Sequence, residues 1–232
     1  MQQTTNGKRT QAYVTHVVLV VLVLCISVDA SQGAGAGSDQ KRAWQEMPLP
    51  ALEERVAAGD LAATHELARR YFGGRGDVRQ SYEQAARLWR EIVEAGGLPT
   101  DYYMGRMCAH SNLGYVSYYG KGINQDRAEG VRLWRIAAEQ GYPEAQLHLG
   151  VAYSDGKLLE RDPVEAYAWL ATSAENVARG PEVPEFTRME ADARERADGL
   201  LEKMDVAVAE EAALRAQHYL RKYPWRRGSD DE

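Results

Sequence analysis

Cysteine, phenylalanine and isoleucine are nearly missing from this chain, which has two Cys, two Phe and four Ile in 232 residues. So few cysteines exclude a disulfide-dense scaffold. From residue 31 onward there are 31 Ala against 14 Val plus Ile, a balance that suits helices and starves strands, so an all-β fold is excluded. Cations are the minority charge, with 28 Lys plus Arg against 34 Asp plus Glu. A dedicated nucleic-acid binder needs clustered Lys and Arg to displace counterions, so no nucleic-acid partner is expected. The longest charge-free apolar run, Val17 to Val28, has twelve residues, short of the roughly 20 that a spanning helix requires. Disorder is excluded as well, since 44% of the chain is hydrophobic.

Residues 1–30 have the layout of a secretory signal. Lys8 and Arg9 supply a positive start, Val17 to Val28 the apolar run, and Val28-Asp29-Ala30 a cleavage site after Ala30. Export to the periplasm or cell envelope is therefore expected, with secretion as an alternative. Membrane association is expected only if the segment stays uncleaved and anchors the chain. Cleavage would shift the formal charge from −6 to −7, because Lys8, Arg9 and Asp29 leave together. Cys108 would then be the one remaining cysteine, expected as a buried lone thiol. Residues 31–46 read as a Gly-rich flexible linker, with packed structure starting near Trp44 to Pro50.

Sliding the chain against itself exposes a repeat. At an offset of 36, residues 113–139 match residues 149–175 at eight positions, among them Leu113/Leu149, Gly114/Gly150, Gly120/Gly156, Asp126/Asp162 and Ala138/Ala174. Roughly two matches would arise by chance in such a window. A third copy lies upstream, where Leu67, Tyr71, Gly74 and Gly76 reproduce the spacing and Ser81 takes the place of the Asp. Ser81-x-x-Gln84, Asp126-x-x-Glu129 and Asp162-x-x-Glu165 are expected as capping boxes, the first residue accepting from orphan amides and the fourth reaching back to the cap. Gly74, Gly120 and Gly156 suit left-handed helix ends. Leu158, standing where a second Gly would fall, should reshape the third turn. Ala85, Gly130 and Ala166, followed by Leu88-Trp89, Leu133-Trp134 and Trp169-Leu170, place small and large residues on one stripe, so paired helices can approach and interlock.

These residues resemble the Sel-one-like repeats, a branch of the tetratricopeptide-like helical arrays. The family pattern of Leu-Gly, Tyr, Gly-x-Gly, Asp, a small residue, Trp and a closing Ala-Ala-Glu-x-Gly stands most fully from Leu113 to Gly141. The resemblance implies an all-α, right-handed α-solenoid of antiparallel helix pairs whose concave face binds other proteins. The organisation expected is a repeat array over 47–178 (repeats 60–97, 98–141 and 142–178), a C-terminal capping helix pair over 179–223 and a charged tail over 224–232. Leu200, Leu201, Val206, Ala209, Ala213, Ala216 and Leu220 form the expected apolar stripe of the closing pair.

The period breaks between the first two copies, where nine residues separate Met104-Gly105 from Leu113-Gly114. At about 100° per residue the two pairs face opposite ways, so a helix from about Asp101 to Tyr119 is expected to kink near His110 to Asn112. Tyr102, Tyr103, Tyr115, Tyr118 and Tyr119 crowd this segment; aromatic rings anchor interfaces as well as cores. The candidate protein-binding residues are Arg69, Arg70, Tyr103, Arg106, Tyr115, Tyr118 and His148, with Arg69, Arg70, Arg106 and Tyr118 expected on exposed helix faces.

No complete catalytic or metal motif is present. His65-Glu66-x-x-Arg69 has Arg where a zinc protease needs its second His, and Gly114 to Gly122 lacks the Ser or Thr of a phosphate loop. Cys108 and His110 fall short of the four ligands of a structural zinc. The reading is a non-enzymatic, monomeric protein without cofactor or metal that recruits or restrains a protein partner. The alternative is a cell-wall factor that binds or acts on peptidoglycan.

Overall fold

A computed structural model of the chain describes Trp44 and residues 46–95, 103–180 and 184–225, with the side chains of residues 103, 104, 184 and 185 left aside. The expected leader, most of the linker, Tyr102, the Tyr103 side chain and the tail beyond Trp225 lie outside the described residues. Those residues form nine helices and no strand. In chain order these are α1 (Leu49–Ala57), α2 (Leu61–Gly73), α3 (Tyr82–Glu94), α4 (Tyr103–Tyr119), α5 (Arg127–Glu139), α6 (Pro143–Asp155), α7 (Pro163–Ala178), α8 (Pro184–Leu201) and α9 (Val206–Lys222). Each helix packs on its successor from α1 to α8, and α9 returns to pack on α7. The result is an α-solenoid of three helix pairs, α2/α3, α4/α5 and α6/α7, closed by α8 and α9.

The small-residue stripe sets the spacing within each pair. A Cβ built on Gly130 would stand 2.7 Å from the Tyr118 Cβ and 2.8 Å from the Gly114 carbonyl oxygen; one on Gly150 would meet the Leu170 Cγ at 2.6 Å. Trp89, Trp134 and Leu170 fill the space beside these contacts and are fully buried. Gly74, Gly120 and Gly156 end their helices at φ of 61°, 65° and 63°, a region that costs a residue with a Cβ. The third turn differs as expected: Gly76 and Gly122 also take positive φ, whereas among the described residues none other than glycine does, Leu158 included.

The capping boxes are half made. Ser81, Asp126 and Asp162 accept from the amides of Gln84, Glu129 and Glu165 at 3.2, 2.9 and 2.9 Å. The expected return bond from the fourth residue does not form, because each cap amide already donates to a carbonyl of the preceding helix: Tyr71, Ser117 and Tyr153. Gln84 and Glu129 are engaged instead by Arg87 and Arg132 on their own helices. Glu165 accepts from Arg215 at 2.9 Å and from the Tyr219 hydroxyl at 3.0 Å, tying α7 to α9.

Helix α4 runs as continuous α-helix through His110 to Asn112, without a bulge. The opposition of its two Gly faces is real, but Gly105 and every residue from Met107 to Tyr118 is buried, so the helix has no solvent side to satisfy. The apolar stripe of the closing helices holds in part, with Leu200 and Ala216 buried as expected. Ala212 and Ala216 face inward, Tyr219 and Tyr223 stack on Trp169 with ring centres 4.5 and 5.5 Å away, and Val206 is 76% exposed.

Candidate functional site

The candidate residues fall on the first helices of the three pairs: Arg69 and Arg70 on α2, Tyr103, Arg106, Tyr115 and Tyr118 on α4, and His148 on α6. Helical periodicity is weak in α4 and α6 because both are covered on nearly every side. This corrects the exposure expected of three residues. Arg69 is 5%, Arg70 6% and Tyr118 2% exposed; Arg106 is intermediate.

The reasons are local. Arg69 and Arg70 share the Glu66 carboxylate at 3.3 and 3.2 Å, one and the same turn of α2 carrying all three. Arg70 also donates to the carbonyl oxygens of Trp44 and Met47 at 3.0 and 2.7 Å, so the segment ahead of α1 folds over it. Tyr118 points at α5, where it meets Trp134 at 4.9 Å and the Arg127 guanidinium at 5.9 Å.

Trp134 is the hub that joins the remaining candidates. His148 stacks on it at 4.7 Å with the planes 22° apart, and Tyr115 lies 6.1 Å from His148. The Trp134 indole donates to the Ser111 carbonyl at 3.0 Å, locking α5 to α4. Burial pushes the His148 imidazole down to about 3, so the ring is neutral. His65 is likewise pushed down to about 3, by burial first and by Arg69 second. Burial raises the hydroxyls of Tyr115 and Tyr119 above the ordinary phenol range. The structure therefore gathers Tyr115, Tyr118 and His148 into one aromatic cluster and leaves Arg69 and Arg70 in a separate ionic cluster at the first repeat.

Sequence reasoning passed over the polar groups buried between repeats. Glu144 at the start of α6 is 2% exposed, accepts from the Tyr142 hydroxyl at 3.1 Å, and is pushed up to about 7 by burial, against the opposing pull of hydrogen bonding from Tyr142 and Ser111. Gln146, Ser173 and Asn176 are buried beside it, and Ser173 donates to the Pro143 carbonyl at 2.8 Å. Polar residues at these positions look like a solvated face in the sequence; only the packing of α7 on α6 makes them internal.

Several polar atoms on the first helices are buried without a hydrogen-bond partner: His65 Nδ1, Arg106 Nε, Tyr115 Oη, Tyr118 Oη and His148 Nε2. The second helices contribute Trp89 Nε1 and Arg127 Nε. Such atoms are few in native proteins, because each forfeits its hydration without a replacement. Cys108 is buried and accepts from Asn112 Nδ2 at 3.2 Å. It is disulfide-bonded and not the lone thiol expected, with its partner outside the described residues. Among the described residues no group of three or more His, Cys, Asp or Glu is placed to hold a metal ion, and no helix is long and apolar enough to cross a membrane.

This arrangement of paired helices with a glycine-capped turn and a Trp-filled groove in each pair is that of a helical-repeat protein. The Sel1 repeat family model matches residues 61–97, 109–142 and 143–176, and the chain is a Sel1-like repeat protein. Among solved structures it is similar to a protective antigen of uropathogenic Escherichia coli with an SLR fold, at 26% identity and a TM-score of 0.47. That match covers 77% of this chain but 42% of the antigen, so the chain spans about two fifths of that relative. It is also similar to a Sel1 repeat protein from Oxalobacter formigenes, at 29% identity over 65% of this chain and 97% of that one, with a TM-score of 0.45. Proteins of this repeat class generally mediate protein–protein interaction and are typically non-catalytic scaffolds.

Proposed function

We propose that this chain is an exported, non-enzymatic adaptor that holds a protein partner against the row of first helices α2, α4 and α6. The observation that supports the reading is the match of three consecutive stretches, residues 61–97, 109–142 and 143–176, to the Sel1 repeat, a class whose proteins generally mediate protein–protein interaction. Tyr71, Arg106, Tyr119 and Tyr153 are among the side chains of that row left partly accessible, and tyrosine and arginine are favoured anchors at protein interfaces. A single chain presents one such row, which suits a monomer meeting one partner.

The test is affinity capture from envelope extract with the purified chain as bait. Wild type should enrich a specific protein, and R106E together with Y153A should lose it, because these changes alter partly accessible side chains of α4 and α6. Charge reversal at Arg69 or Arg70 is unsuited to the purpose, since both sit in a buried ion-pair cluster. Retention on peptidoglycan sacculi in place of any protein, or capture unaffected by the double variant, would overturn the reading. Export itself is tested by mass spectrometry of the native N-terminus without reductant. That measurement decides between a chain beginning at Ser31 and one anchored through residues that still include Cys25.

A further inference from the structure

A strap of backbone crosses the joint between α6, α7 and α8. After α9 ends, Tyr223, Pro224 and Trp225 run over the start of α6 and the end of α7. Asn176 addresses this strap with both ends of its carboxamide: Nδ2 donates to the Tyr223 carbonyl at 3.0 Å, and Oδ1 accepts from the Trp225 amide at 3.1 Å. Gln146 donates to the same Tyr223 carbonyl at 3.4 Å, and its Oε1 accepts from Asn176 at 3.0 Å, which fixes the orientation of both amides. A carboxamide that pairs with the carbonyl of one residue and the amide of the second residue on reproduces the edge of a strand. It reads an extended backbone and takes no account of the side chain between.

Two glycines keep the track open. A Cβ on Gly141 would lie 2.1 Å from the Pro224 carbonyl oxygen, and one on Gly180 would lie 2.0 Å from the Trp225 ring. Phe186 meets that ring edge-on at 5.1 Å, so Gly180 and Phe186 form a slot for one flat aromatic side chain. Gln146 and Asn176 are fully buried. Burying two amides is a costly way to join helices, since apolar residues would do so without desolvating polar groups. The strap itself is only half-buried, and Trp225 Nε1 is buried in the slot without a hydrogen-bond partner. The chain's own residues satisfy the backbone half of the site and leave the aromatic half incomplete.

We propose that Asn176 and Gln146 form a peptide-binding clamp, held in this structure by the chain's own Tyr223 to Trp225, which takes over an extended partner segment bearing an aromatic residue for the slot between Gly180 and Phe186. The clamp lies at the C-terminal end of the array and uses none of the first-helix candidates Arg69, Arg70, Arg106, Tyr115, Tyr118 and His148. It makes the C-terminal strap a competitor that sets how tightly a partner is held.

The probe is a fluorescein-labelled Tyr-Pro-Trp-Arg-Arg peptide, the sequence of residues 223–227, titrated by fluorescence anisotropy against the full chain. W225A vacates the slot and should bind the peptide about tenfold more tightly than wild type, because the tethered strap loses its aromatic anchor. Adding N176A should return the affinity by about the same factor, since the backbone pairing is lost. R106E should leave it unchanged, which separates this clamp from the proposed adaptor surface. If W225A keeps its helical circular dichroism and yet binds no better than wild type, or if N176A has no effect on it, the proposal fails. Should W225A not fold, hydrogen exchange on wild type decides: saturating peptide must deprotect the Trp225 amide, and an unchanged exchange rate overturns the clamp.

Discussion

Glu144 offers a quantitative test of how the repeats are joined. Its carboxyl is pushed up to about 7 from an ordinary 4.5 by burial, so the folded chain holds a proton that the unfolded chain releases. The stabilisation from that proton is fully present below pH 4.5 and is lost as pH rises through 7, with a slope of about 1.4 kcal/mol per pH unit in between. Between pH 5 and pH 8 the loss amounts to roughly 2.5 kcal/mol, a large part of the 5–15 kcal/mol that holds a typical domain. His65 and His148, both pushed down to about 3, act in the opposite sense: their stabilisation is present above pH 6.5 and is lost as pH falls toward 3. The wild-type profile mixes the two, so the measurement must be differential. Urea unfolding of wild type and E144Q across pH 5–8 isolates the carboxyl, since Gln keeps its shape and cannot ionise. Wild type should lose roughly 2.5 kcal/mol relative to E144Q over that range. Two curves that stay parallel within about 0.5 kcal/mol would refute the burial argument.

The close helix approach predicts opposite outcomes for two glycines. G130A should cost about 1–3 kcal/mol in urea unfolding, because its methyl meets backbone and the Tyr118 Cβ below 3 Å, whereas G199A, with nothing within 4 Å inside α8, should stabilise by about 0.5–1 kcal/mol. D162A should lower stability by about 1 kcal/mol through the lost cap, while E129Q, whose side chain makes no return bond, should stay within about 0.5 kcal/mol of wild type by thermal denaturation. E66Q removes the carboxylate shared by Arg69 and Arg70 and should cost about 3 kcal/mol by the same urea assay.

What could be read from the sequence was what short-range chemistry controls. Ser81, Asp126 and Asp162 are caps because the orphan amides they serve lie two or three residues away, and Gly74, Gly120 and Gly156 end helices because φ is a property of the residue itself. The return arm of the capping box was not legible, since what displaces Glu129 and Glu165 is a carbonyl from the previous helix, 9 residues up the chain. The exposure of Arg69, Arg70 and Tyr118 failed for a related reason. A helix with neighbours on several sides has no single polar stripe, so a charged or hydroxyl-bearing residue on α2 or α4 carries no sign of whether water or another helix faces it. Asn176 and Gln146 were invisible as a site because their partner is main chain, which has no sequence signature. Trp225, placed in a charged tail by the Arg and Asp residues after it, had one available signal: a large apolar ring beside a proline directly after a helix end.

The different surroundings of α3, α5 and α7 determine where the array can grow. Helices α3 and α5 each keep a solvent edge, at Arg87 and Glu91 in one and at Arg132 and Arg135 in the other, whereas α7 has no exposed residue from Pro163 to Val177 because α8 and α9 both lean on it. A fourth helix pair therefore has no berth after α7. Unequal duplication of the 36-residue unit can lengthen this protein by insertion between existing repeats, which leaves α7 and its two flanking helices as an inherited terminus. Tandem insertion of residues 106–141 between Gly141 and Tyr142 is the corresponding route for engineering a longer member.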